Sequence, residues 1–195
     1  HKKPMRDVFN LFSNTKILTD DPYLASYPYL LAYFSQLTTI SGGDVVRGAH
    51  MVYGWMPTII GLNLSKKEDT LQIVADLLTK AKTGIDLSSA ELQSISNLVN
   101  KSTVGASKLL HFVAPKIYPI WDSRVYRFVH EETPHHYRVN NISKYQSYLK
   151  KVHAIVADQR MPQLQNFIDL KLGYTVSAVR AVELVMFSNA PPSGA

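Results

Sequence analysis

Signals that start a helix recur so often along this chain that little room is left for any other regular structure. Asp20-Asp21-Pro22 places acidic caps ahead of a proline at the first helical position, where its missing N–H is no loss. It leads into an expected helix over Tyr23–Leu37, which Pro28 kinks or splits. After Ser41-Gly42-Gly43, Asp44 is expected to cap a second helix that runs to about Trp55, and Pro57 and Gly61 punctuate the chain beyond it. Ser65-Lys66-Lys67-Glu68 reads as a capping box, Ser with Glu three residues on, before Leu71, Val74, Leu77 and Leu78 on one helical face. Ser88 and Glu91 repeat the box ahead of Leu92, Ile95, Leu98 and Val99.

Asn100-Lys101-Ser102-Thr103 then breaks the pattern, and Val104–Val113 is apolar again. Pro115 and Pro119 interrupt, Asp122 begins another helix, and Glu131–Asn141 is a polar loop around Pro134. Three more helices are expected over Ile142–Asp158, Pro162–Leu172 and Tyr174–Phe187. No stretch alternates with period two between hairpin turns, and no repeat of solenoid length is present. The expectation is an all-α fold of about eight to ten helices. It forms a single helical domain over residues 4–188, with 189–195 as a flexible tail.

Composition removes whole classes of function. The 195 residues include no cysteine, which excludes a disulfide framework, a zinc ribbon, an iron–sulfur centre and a thiol nucleophile. No apolar run reaches the roughly 18 residues that cross a bilayer, so no membrane role is expected. No secretory signal is visible, and a cytoplasmic location is the expectation. Walker A, dinucleotide, His-Glu-x-x-His and Gly-x-Ser-x-Gly patterns are absent, and no cofactor or metal is expected. Twenty-one Lys and Arg against fifteen Asp and Glu give a net charge of +6. That excess suits an acidic partner, of which nucleic acid is the commonest, or a soluble protein that is simply basic.

The stretch from Thr103 to Phe128 concentrates the chemistry. Residues 89–114 form a candidate helix-hairpin-helix, with Gly105 and Thr103 at the start of its second helix. There, outward backbone N–H groups and the helix dipole suit a phosphate, and a glycine lets it approach closely. Ile120-Trp121-Asp122-Ser123-Arg124-Val125-Tyr126-Arg127 carries the pattern Asp-x-x-Val-x-Arg behind Pro119. With the hairpin and Lys108, this segment resembles the helix-hairpin-helix DNA glycosylases of the endonuclease III-like superfamily, as a divergent bacterial relative. The resemblance implies duplex DNA as partner and excision of a flipped base, a DNA-repair hydrolase activity with or without strand cleavage. Lys108 would attack the deoxyribose C1′ and Asp122 would be the catalytic aspartate. This chain has one hairpin glycine rather than two, and Lys108 lies three positions after it.

The residues themselves allow two readings each. Lys108 precedes Leu109, Leu110, Phe112 and Val113, an apolar wall that could keep its amine partly neutral, or it snorkels to solvent. Asp122 suits an N-cap as well as a carboxylate that stabilises a developing sugar cation. His111, Trp121 and Tyr126 could form a base pocket by stacking, or belong to the core. Arg124 and Arg127 could contact phosphates or close a salt bridge, and Arg138 in the polar loop is read for nucleic-acid contact. His130, His135 and His136 fit no zinc spacing and read as a polar loop. Tyr23, Tyr27, Tyr29 and Tyr33 form an aromatic stripe expected to pack inward. The alternatives to base excision are a non-catalytic DNA-binding or protein-interaction module, and a helical protein that acts on RNA.

Overall fold

Polar side chains close most of the described helix N-termini, much as the capping signals predict, in a computed structural model that describes residues 4–64 and 70–192. Asp21 accepts from the Tyr23 N–H at the head of α1 (Pro22–Ser35). Ser41, not Asp44, caps α2 (Gly42–Trp55); Asp44 sits inside the first turn and accepts a hydrogen bond from the Ser41 N–H. The expected helix through Leu71 and Leu78 is α3 (Thr70–Lys82), while its proposed box at Ser65–Glu68 lies outside the described residues. Ser88 and Glu91 form their box on α4 (Ser89–Leu98), and Ser102 caps α5 (Thr103–Val113). Asp122 caps α6 (Ser123–His130) by accepting from the Val125 N–H at 2.9 Å.

The second half follows the expected order with three differences. The polar loop holds a short α7 (His136–Val139) ahead of α8 (Ile142–Val156) and α9 (Met161–Leu172). The last helix, α10 (Ala178–Ser188), begins four residues later than Tyr174, because the Ser177 hydroxyl accepts from the Arg180 N–H and fixes the start there. Residues Asn189–Pro192 are docked rather than frayed. Asn189 donates to Thr15 and to the Val185 carbonyl, Arg6 donates to the Asn189 carbonyl, and Arg127 donates to the Pro191 carbonyl.

Pro28 neither splits nor ends α1. A proline removes the hydrogen bond to the carbonyl four residues back, here that of Leu24. That carbonyl instead accepts from the Tyr174 hydroxyl at 2.7 Å, so a residue 150 positions away satisfies the group the proline leaves open. Tyr174→Phe should therefore cost about 1 kcal/mol and lower Tm by roughly 2–4 °C in a chain of this size. An unchanged thermal midpoint would show that the carbonyl finds water instead.

The helices gather around two central ones. α5 contacts α1, α2, α3 and α4, while α10 contacts α6, α8 and α9. A single cluster of buried residues runs through both groups, from Tyr27 and Phe34 to Val182 and Met186. Among the described residues there is no strand, only an isolated antiparallel bridge between Leu62 and Val99. No helix among them is long and apolar enough to cross a membrane. The aromatic stripe of α1 divides: Tyr27 is fully buried, whereas Tyr29 and Tyr23 are 78% and 45% exposed.

Candidate functional site

Lys108 and Asp122 stand fourteen residues apart in sequence, yet one side chain holds their backbones together. The Ser107 hydroxyl accepts from the Trp121 N–H at 3.0 Å, and its one proton has two carbonyls in reach, Val104 at 2.8 Å and Trp121 at 3.1 Å. Each partner in this clamp is the residue immediately before Lys108 or Asp122. Trp121 is itself fixed, with no exposed surface and its indole N–H donating to the Val139 carbonyl at 2.8 Å. The clamp places Lys108 and Asp122 on the wall of one cleft of about 210 Å³ where the two helix groups meet. A shallower depression on the outer side, lined by Arg124, His136 and Phe187, shares the same two residues.

Both side chains keep reactive atoms available. Burial lowers the pKa of the Lys108 amine, with the Asp122 and Glu183 carboxylates opposing and Arg180 reinforcing the shift. Among the described residues the amine makes no ion pair within 4.0 Å and no hydrogen bond. Asp122 uses one carboxylate oxygen to cap α6, which orients the group rigidly. The cap and cleft-lining roles coexist.

Two residues of the cleft carry no signal of the kind the motif supplies. Arg180 and Glu183 face it from α10 and are bonded to each other through Nη1 and Oε2. They are 4% and 1% exposed. Their signature in the sequence is an Arg and a Glu three apart within an otherwise apolar helix, Ala178-Val-Arg-Ala-Val-Glu-Leu-Val-Met186. Such charges survive inside a core only when paired. The Arg180 guanidinium lies 4.6 Å over the Tyr27 ring. Tyr27 in turn holds His111, whose Nε2 is 2.6 Å from the Tyr27 hydroxyl and whose Nδ1 is 2.7 Å from the Tyr118 carbonyl. A neutral ring satisfies both contacts by donating through Nδ1–H and accepting at Nε2. Burial and the nearby Arg180 charge push the His111 pKa down to about 3.

Several expected contacts fall elsewhere. The base pocket is not built from His111, Trp121 and Tyr126, since all three have no exposed surface and their polar atoms are engaged internally. The aromatic rings on the cleft are instead Tyr23, Trp55 and Phe187. The hairpin start is not an open phosphate cradle either. The Gly105 N–H donates to Ser102, and both the Thr103 N–H and its hydroxyl donate to Asn140. The three arginines differ: Arg124 is exposed and stacks at 4.6 Å on Phe187. Arg127 is tied to Pro191, and Arg138 bridges to Glu132 at 3.3 Å.

Compared with family profiles, curated proteins and solved structures, the chain matches none.

Proposed function

We propose that the protein binds DNA and excises a base in this cleft, with Lys108 as nucleophile and Asp122 as the carboxylate that stabilises the sugar cation. The observation that carries the reading is the Lys108 amine: desolvated, unpaired among the described residues, and facing a cavity it shares with Asp122. Desolvation raises the fraction of neutral amine, the only form that attacks carbon. The lone pair of Nζ forms a bond to C1′ as the glycosidic C1′–N bond breaks, and its electrons leave with the base, which takes up a proton. Loss of the amine proton and opening of the C1′–O4′ bond then give the iminium, with O4′ leaving as a hydroxyl. Exposed Arg124, with His136 beside it, supplies positive charge at the outer rim for phosphates.

An abasic duplex tests this without knowledge of the target base, because its C1′ aldehyde condenses with the amine and loses water to give the same iminium. Borohydride delivers a hydride to that iminium and leaves a stable secondary amine between protein and DNA. The expected result is a covalent adduct with the parent protein and its loss in Lys108→Met. Equal trapping by Lys108→Met, or no adduct with the parent, rejects the assignment.

A further inference from the structure

Behind Lys108 and Asp122, the cleft ends in a charge pair that the excision chemistry does not use. Arg180 and Glu183 are bonded to each other and both line the cavity. The Arg180 Nε–H is buried and meets no acceptor among the described residues. A buried donor left without a partner is unfavourable, so a ligand acceptor that reaches the guanidinium removes a standing deficit. Glu183 offers the complementary half. Burial raises its pKa to about 7 and the Asp122 charge adds to the shift, while Arg180 and Lys108 oppose it, so both protonation states are present near neutrality. The walls around the pair are flat and apolar: Tyr23 and Trp55 meet edge to face at 6.0 Å, with Leu24, Ile120 and Phe187 beside them. A cavity of about 210 Å³ is smaller than the roughly 300–1,000 Å³ of sites for drug-sized molecules, which limits the occupant to a small ring.

We propose that the Arg180–Glu183 pair is the specificity element of the cleft and recognises a heterocyclic base by an amide-like edge. In that edge an acceptor, a carbonyl oxygen or ring nitrogen, lies beside an N–H. The guanidinium donates to the acceptor, and the carboxylate accepts from the N–H. A hydrocarbon ring leaves the Arg180 donor without a partner. The choice of ligand rests on the base-excision reading; the pocket itself needs no chemistry at Lys108.

The two tryptophans supply a built-in probe. Trp55 lines the cavity and Trp121 is sealed in the core, so only the Trp55 indole N–H resonance should move when free base binds. Titration with uracil or hypoxanthine is expected to shift that signal saturably. Benzene, a ring without such an edge, is expected to leave it in place. Glu183→Gln, folded by circular dichroism, should weaken binding about tenfold or more, since the hydrogen bond to a charged carboxylate becomes one to a neutral amide. If that variant does not fold, Leu24→Phe narrows the cavity from α1 with the pair untouched and should abolish the titration. No saturable shift with either base, equal binding of benzene, or unchanged binding in the folded Glu183→Gln or Leu24→Phe variants overturns the proposal. A positive titration without borohydride trapping keeps the pocket and removes base excision; trapping without titration does the reverse.

Discussion

Gly105→Ala is expected to destabilise the protein by about 3 kcal/mol, at the upper end for one added methyl in a packed interior. The new Cβ would collide with the Tyr53 hydroxyl oxygen and lie 3.0 Å from Tyr53 Cζ and 3.1 Å from Val99 Cγ1. Tyr53 is 3% exposed and Val99 fully buried, so neither has open space to retreat into. The glycine is there for close helix packing under the hairpin, not for the approach of a phosphate. Tyr53→Phe deletes the nearest atom while Cζ stays at 3.0 Å, so the double variant should recover part of the loss and not all of it. Urea unfolding of the four members of the cycle measures this directly. A Gly105→Ala variant as stable as its parent would mean that the ring moves freely, against its burial.

The second large effect appears in acid. His111 binds its proton more weakly in the folded chain, near pH 3, than the ordinary 6.5 of an unfolded histidine. Its contribution is therefore fully present above pH 6.5 and is lost as pH falls toward 3, by about 5 kcal/mol in all. Glu183 has the opposite sign. Its folded pKa of about 7 exceeds the ordinary 4.5, so its contribution is complete below pH 4.5 and is lost as pH rises through 7, by about 3 kcal/mol. Between pH 4.5 and 6.5 the two slopes run against each other and stability changes little. Below 4.5 the Glu183 contribution is constant and His111 drives the protein apart, joined by Asp44, Glu91, Glu132 and Asp158, carboxylates whose hydrogen-bonded partners hold their pKa down. Denaturant midpoints from pH 7 to 3.5 should show a plateau followed by a steep acid fall, and His111→Gln should flatten the fall. Parallel acid limbs in parent and variant would assign acid lability to other groups.

Helix starts were legible because caps are local: Ser88 with Glu91, Asp21 with Pro22, and Asp122 all use residues within three positions of the amide they serve. The pairing of Lys108 with Asp122 came only from the resemblance to the glycosylases, since the Ser107–Trp121 contact that sets both on one cleft joins residues fourteen positions apart. What escaped was long-range satisfaction of polar groups. Pro28 reads as a break until Tyr174 supplies the missing donor, and the start of α5 reads as a phosphate site until Asn140 occupies it. Trp121 and Tyr126 look like stacking platforms by type, and the burial of Trp121 is decided by α8 residues Tyr145 and Tyr148 that pack around it. The Arg180–Glu183 pair was visible as two charges in an apolar helix, but which cavity they face depends on how α10 meets α1 and α2.

The Ser107–Trp121 clamp has an evolutionary consequence. It fixes the spacing of positions 108 and 122 through backbone atoms and a serine hydroxyl, with no help from the Lys108 side chain. Selection can therefore exchange the amine for another group without first rebuilding the frame that aims it. At position 122, Asn would keep the cap and change only the charge. Substitution at either position would leave the helices superimposable on the parent's, so shape alone would not report which groups a related chain carries at 108 and 122.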